Sequence, residues 1–318
     1  MPTYGEMMIK KTIITLLLVS LMPTFAVEKV IYGRDNRVEV DEFADQRFVD
    51  AADSVAAVVW DKKITRDPLM PDVFNFKKVS LQFAYNVCKE ERYSQQVPLG
   101  SCTAFLIAPD LVLTAGHCIS SQEHCEENKF VFGHKKGVTT LRDSQVYSCK
   151  KVVERRLVNE KYEVKDYAVV QLDREVENRS PLSLRPSGTV KKNTPLVVIG
   201  HPLGLPMKIA DNAKVTKPGY VRMFSSIRSL MKYRNYFLTN TDTYGGNSGS
   251  PVFNEDSGLV EGLLIQGADD FIETEEGCYI SSFLDNNRKN REEKVLRILN
   301  IDNLKKHIND SYNRVINN

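Results

Sequence analysis

The sequence lacks the features that would point away from an ordinary globular protein. It has no charge excess of either sign. Its 43 Lys and Arg stand against 41 Asp and Glu, too even a balance for a surface built to bind a polyanion, so nucleic acid is not an expected partner. No apolar run approaches the roughly 20 residues that a spanning helix requires, and no stable membrane association is expected. There is no Cys-x-x-Cys pair, which argues against zinc, and neither an internal repeat nor a low-complexity tract. At 42% apolar and 26% charged over 318 residues, disorder is not the default, and the chain can bury one large core or two smaller ones. Histidine is scarce, at five residues, so few groups can serve as a general base.

What is present begins with a targeting segment. Lys10 and Lys11 precede an apolar run from Thr12 to Met22, and Thr24-Phe25-Ala26 follows as a small-residue cleavage pattern. Residues 1–26 are therefore expected to be a signal peptide, with Met7 or Met8 as an alternative start and an uncleaved anchor as the lesser alternative. The mature protein is expected to be secreted or periplasmic. No Cys directly follows the cleavage site, so a lipid anchor is not indicated.

The six cysteines, at 88, 102, 118, 125, 149 and 278, suit an oxidising compartment. Strand-like runs 102–108 and 111–115 flank the turn signal Pro109-Asp110, and a hairpin centred there sets residue 102 opposite residue 117. Cys118 then lies within disulfide reach of Cys102. The other four can pair in three ways; Cys125 with Cys149 and Cys88 with Cys278 is the expected set.

Short apolar bursts bounded by turns predict strands at 55–60, 79–83, 102–108, 111–115, 129–132, 167–172, 195–200, 236–239, 250–253 and 259–265. Many strands at such spacing mean barrels or a sandwich. The polar stretch 173–188, with two prolines, is the expected crossing between two halves, about 30–172 and 189–285. The charged end, 286–318, is expected to be helical and to pack over the second half.

Ser248 sits in Gly245-Gly246-Asn247-Ser248-Gly249-Ser250-Pro251, where glycines on both sides permit a tight bend with amides beside a hydroxyl. Such a bend can form an oxyanion hole from the amides of Gly246 and Ser248. A serine hydroxyl needs a base to take its proton, and the base needs an acid to fix its tautomer. His117, in Leu113-Thr114-Ala115-Gly116-His117-Cys118, is the best-placed base; His124, His134, His201 and His307 read as loop, strand-end or helix-surface residues. Asp166 opens the buried-looking Asp166-Tyr167-Ala168-Val169-Val170-Gln171-Leu172 and is the expected acid.

The order His, Asp, Ser separates this chain from the hydrolase fold with a nucleophile elbow and from subtilisins. Thr114-Ala115-Gly116-His117-Cys118 and Gly246-Asn247-Ser248-Gly249-Ser250-Pro251 resemble the two signatures of trypsin-like peptidases. The run Gly245 to Phe253, the Val30-Ile31 start and Gly200-His201-Pro202 resemble the bacterial branch that contains glutamyl endopeptidases. The resemblance covers about Val30 to Ile280. It implies an all-β fold of two antiparallel barrels with a C-terminal helical segment, the triad in the cleft between them, and no cofactor or metal. Substrates would be proteins or peptides, and the protein a monomer. It also implies Thr243 and Gly267 as pocket residues and a new amino terminus at Val30, after removal of 27–29.

The match departs at informative places. Asn247 replaces the Asp that pairs with the new amino terminus in trypsin. Leu264 stands where glutamyl endopeptidases carry a substrate-binding His. Asp242 stands where trypsins carry the Asp that binds Lys or Arg, but Tyr244 replaces the bracing Cys, so Asp242 reads equally as a pocket carboxylate or as a loop stabiliser. The rival reading is a catalytically silent binding protein on the same fold. A chaperone-linked protease would need a peptide-binding domain for which too little chain remains past Tyr279.

Overall fold

The computed structural model describes residues 31–160, 163–222, 231–233, 235–267, 270–284 and 292–317. The signal segment, residues 27–29 and the new terminus expected at Val30 lie outside the described residues.

Six strands, β1 (Val55–Trp60), β2 (Cys102–Ala108), β3 (Leu111–Thr114), β4 (Asn128–Phe132), β5 (Val146–Asn159) and β6 (Val164–Leu172), close into a barrel in the order β5-β6-β3-β2-β1-β4. Every pairing is antiparallel. β2 and β3 are buried at every position, which is why they read as unbroken apolar runs rather than alternating ones. Phe105, Phe130 and Phe132 fill the interior without exposure. Full burial of such a ring stabilises by about 1.5–3 kcal/mol.

After Leu172 the chain crosses to a second barrel, made of β7 (Pro195–Gly200), β8 (Lys208–Lys217), β9 (Tyr236–Thr239), β10 (Pro251–Asn254), β11 (Val260–Gln266) and β12 (Glu293–Arg297). Its order is β7-β10-β11-β12-β9-β8, and β8 pairs back to β7 to close it. One apolar cluster runs through both barrels, from Phe105 and Phe130 to Ile199, Phe253 and Leu263.

Four expectations are corrected. Residues 79–83 do not form a strand; Leu81–Tyr85 is a short helix, because only Leu81 is buried there while Phe83 and Tyr85 face solvent, and a half-buried strand needs a whole face to cover. Barrel two does not end at 285: β12, in the charged segment expected to be helical, pairs with both β9 and β11 and closes the barrel. The helix Leu304–Ile316 that follows packs on the first barrel, not the second. Its Arg314 meets Asp110 at 2.9 Å, its Ser311 hydroxyl donates to the same carboxylate, and His307 meets Glu154 at 2.7 Å. Finally, the hairpin register slips by one, because Ile107 bulges between the pairs Leu106–Val112 and Ala108–Leu111.

The start of the described chain belongs with barrel two. Arg37–Glu39 pairs with Lys208–Ala210, and Ile31–Tyr32 lies parallel to Phe283–Leu284. Disulfides join Cys102 to Cys118, Cys125 to Cys149 and Cys88 to Cys278, with Cα separations of 6.1, 5.6 and 5.0 Å.

Candidate active site

The loop after β3 carries His117, and β6 carries Asp166. Gly116 lets these two approach: a Cβ there would run into the Arg156 carbonyl and lie 2.9 Å from the Tyr167 amide nitrogen. Asp166 consequently grips His117 twice, its Oδ1 accepting the backbone N–H at 2.9 Å and its Oδ2 lying 2.7 Å from ring Nδ1.

Ser248 is brought to the same place by the second barrel. The Thr103 amide donates to the Ser248 carbonyl at 2.9 Å, and Cys118 Sγ, in the residue after His117, lies 3.7 Å from that oxygen. Gly246 and Gly249 sit at φ of 87° and 88°, a region open to glycine. A Cβ on Gly249 would fall on the Thr103 carbonyl and the Thr114 hydroxyl, and one on Gly246 would reach 2.5 Å from the His201 carbonyl. Within the bend, the Asn247 amide turns inward to the Tyr244 carbonyl at 3.0 Å and the Gly249 amide to the Leu264 carbonyl at 2.7 Å. Asn247 Oδ1 accepts from the Ser250 hydroxyl at 3.3 Å.

Asp242 is not turned towards a pocket floor. It is buried, and its two oxygens accept the backbone N–H groups of Tyr32 at 2.7 Å and Asn36 at 2.9 Å. Burial pushes its carboxyl up to about 6 despite those donors. Asp242 thus anchors the amino-terminal segment beside the nucleophile loop. Tyr244, in place of a bracing Cys, is buried with the Arg37 guanidinium 3.8 Å above its ring and its hydroxyl bonded to Ser281. Asp270 takes the Gly245 amide at 2.8 Å.

Thr243 and Gly267 come together around a residue that the sequence did not mark. The Thr243 hydroxyl donates to Glu293 Oε2 at 2.8 Å, and a Cβ on Gly267 would overlap the same carboxylate. Glu293 is wholly buried. Its only sequence signal was an acid at the start of a run, Glu293 to Arg297, that looked helical.

Two of the histidines read as loop, strand-end or helix-surface residues do stand at strand ends, but they are buried between the barrels. His134, after β4, stacks on His201, after β7, with centroids 5.8 Å apart. Burial pulls His134 down to about 3 and His201 to about 4, so both are neutral at pH 7. The His201 backbone N–H donates to Thr103 Oγ1 at 3.0 Å, and that hydroxyl donates to the Gly246 carbonyl at 2.8 Å, which ties this core to the bend. Among the described residues, the one cluster spaced to hold a metal is Cys102, His117 and Cys118. Its two sulfurs are bonded to each other, which leaves neither as a thiolate ligand.

A family model described as a trypsin-like peptidase domain matches residues 102–263, about half of the chain, and includes His117, Asp166 and Ser248. The chain belongs to the trypsin-like peptidase family. This trypsin-like domain is similar to the extracellular metalloprotease of Bacillus subtilis (strain 168), 29% identical over 158 residues, which cover 48% of this chain and 45% of that protein. It is also similar to secreted RxLR effector protein 73 of Plasmopara viticola, 29% identical over 172 residues, which cover 51% of this chain and 40% of that protein. The chain thus spans less than half the length of the curated relatives it matches. Among solved structures, a Glu endopeptidase matches with a TM-score of 0.49 at 16% identity, covering 88% of this chain and all of that one. The active form of the Rv3671c protease of M. tuberculosis matches at 0.47 and 15%, covering 91% and 93%.

Proposed function

We propose that this trypsin-like peptidase is an exported serine endopeptidase. Ser248 Oγ attacks the scissile carbonyl while His117 takes its proton, and the resulting oxyanion is held by the amides of Gly246 and Ser248. His117 then passes the proton to the departing amine, leaving an acyl-serine. Water, deprotonated by the same imidazole, releases the acid and restores Ser248. Asp166 orients the ring so that Nε2 serves as the base, and stabilises the imidazolium that forms. The double grip of Asp166 on His117 carries this reading, since a solvated strand-end carboxylate has no reason to hold one residue by both backbone and ring. A silent binding protein would not require that pairing.

Export is supported by three disulfides, which persist in oxidising compartments, together with the targeting pattern at the start of the sequence. Among the described residues no helix is long and apolar enough to cross a membrane. For the residue before the scissile bond, a cationic side chain is the preferred reading. The carboxylate it would approach is that of Glu293, between Thr243 and Gly267, and not that of Asp242, which serves the amino-terminal segment.

The test is a mass-spectrometric map of cleavage sites in a mixed peptide library, with the mature form run beside Ser248→Ala. Cuts that require Ser248 and cluster after Lys and Arg are expected. Cleavage unaffected by Ser248→Ala would overturn the mechanism; clustering after Glu would overturn the cationic preference alone.

A further inference from the structure

Between β1 and β2 the chain makes a long excursion, and its base forms a groove of about 420 Å³ lined by Trp60, Tyr85, Leu99, Lys62, Lys63 and Lys77, among others. Trp60 and Tyr85 are exposed at 44% and 43%, so two large rings face water where a protein normally covers them. Three lysines line the same groove, and among its described lining residues there is no carboxylate. Lys62 Nζ stands 4.8 Å from the Trp60 ring centroid, and Lys63 Nζ donates to the Leu99 carbonyl at 3.1 Å.

The groove adjoins the reacting atoms by a short path. Leu99 and Gly100 both donate to the Gly204 carbonyl, at 2.7 and 3.4 Å. Gly204 is pressed between Gly100 on one side and Gly246 on the other, close enough that a Cβ on it would strike Gly100 and one on Gly246 would lie 2.9 Å from its nitrogen. Four residues on from Leu99, Thr103 donates to the Ser248 carbonyl; four residues of extended chain span about 13 Å. In the proposed mechanism the acyl half of a substrate lies on the barrel-two side, towards Thr243 and Gly267. The leaving amine departs past His117, whose neighbour Cys118 is bonded to Cys102, and the segment from Cys102 back to Leu99 runs from that bridge into the groove.

We propose that this groove binds the leaving-group side of the substrate and selects peptides that carry acidic residues two to four positions after the scissile bond. The inference rests on the endopeptidase reading and extends it to a second recognition element. Aromatic rings supply the apolar contact, and the lysines supply the charge selection. The reach matches, since two to four extended residues cover about 7–13 Å.

Trp60 is the only tryptophan of the chain, so its emission reports directly on the groove. In the Ser248→Ala protein, titration with two peptides that differ only in Asp against Asn at those positions should change Trp60 emission. Binding of the acidic peptide should be about fivefold tighter, as expected for a few exposed ion pairs, and the margin should shrink as salt is added. In the active protein the acidic peptide should be cleaved faster by a similar factor. Lys62→Gln combined with Lys77→Gln should erase both differences and leave turnover of a short ester, which has no residues beyond the scissile bond, unchanged. Ester turnover with no preference between the peptides, or a preference that survives the double substitution, overturns the groove alone. No ester turnover and no labelling of Ser248 by a serine-directed phosphonate overturns the endopeptidase reading, and this inference with it.

Discussion

Asp166 Oδ2 lies 2.7 Å from His117 Nδ1 while Asp166 Oδ1 takes the His117 backbone N–H, so one carboxylate sets both the ring's tautomer and the position of the loop that carries it. Replacing it with Asn keeps the shape but offers an NH2 where the ring needs an acceptor. Asp166→Asn should lower kcat by about 10⁴-fold with little change in melting temperature. A loss under tenfold, measured on an amide substrate, would remove Asp166 from the proposed triad.

The close approach of the barrels at Gly249 can be separated from its backbone strain. Gly249 and Gly258 both have positive φ, 88° and 69°, but a Cβ on Gly249 would fall on the Thr103 carbonyl whereas Gly258 has open space around it. Gly258→Ala should cost about 1–2 kcal/mol, the strain alone. Gly249→Ala should cost clearly more and abolish turnover, because it pushes Ser248 away from barrel one. Equal costs in urea unfolding would contradict the packing argument.

The neutral histidines between the barrels predict loss of stability in acid. Their folded values, about 3 for His134 and about 4 for His201, lie below the roughly 6.5 of an unfolded chain. As pH falls below about 6.5 the unfolded state takes up protons that the folded state refuses, so stability drops from about 6.5 down to about 4 for His201 and to about 3 for His134. His134→Phe, which keeps a ring against Phe76, should flatten that dependence by at most about 1.4 kcal/mol per pH unit. Parallel curves for the two proteins would show that His134 titrates normally.

Asp242 should act in the opposite direction. Its folded value is raised to about 6, so between about 6 and 4 the folded protein holds a proton that the unfolded chain lacks, and this group's contribution improves as pH falls. Asp242→Asn should remove that component and loosen the amino-terminal segment while leaving the preferred cleavage residue unchanged. Glu293→Gln should do the reverse, reducing cleavage after Lys and Arg tenfold or more relative to other residues. A cleavage profile altered by Asp242→Asn and untouched by Glu293→Gln would exchange their roles.

Much of the site was legible before any coordinates because the chemistry constrains short segments. A tight bend beside a hydroxyl needs glycines within two residues of Ser248, and a base at a strand end shows in Leu113 to Cys118. Five of the six strands of barrel one were legible for a related reason, being largely buried and hence mostly apolar; β5 was not, because most of its length is partly exposed and carries Lys150, Lys151, Glu154, Arg155 and Arg156. β12 was hidden because its two apolar residues, Val295 and Leu296, stand between Glu293-Lys294 and Arg297, a pattern that fits a helix end as well as a strand, and only pairing with β9 and β11 chooses between them. Leu81–Tyr85 misled in the other direction, since a short apolar run carries no period.

The sequence by itself therefore determined the strand-rich class, the order and type of the candidate catalytic residues, and the Cys102–Cys118 link across one hairpin, all of which are read from the pattern within short segments. Only the tertiary structure decided that Asp242 faces Tyr32 and Asn36, that Glu293 stands between Thr243 and Gly267, that His134 and His201 stack in the interior, and that Trp60 opens onto a lysine-lined groove. Each of these is a matter of side-chain direction between segments distant along the chain. Direction of that kind is set by how barrels close and pack, and residue types in sequence do not encode it locally.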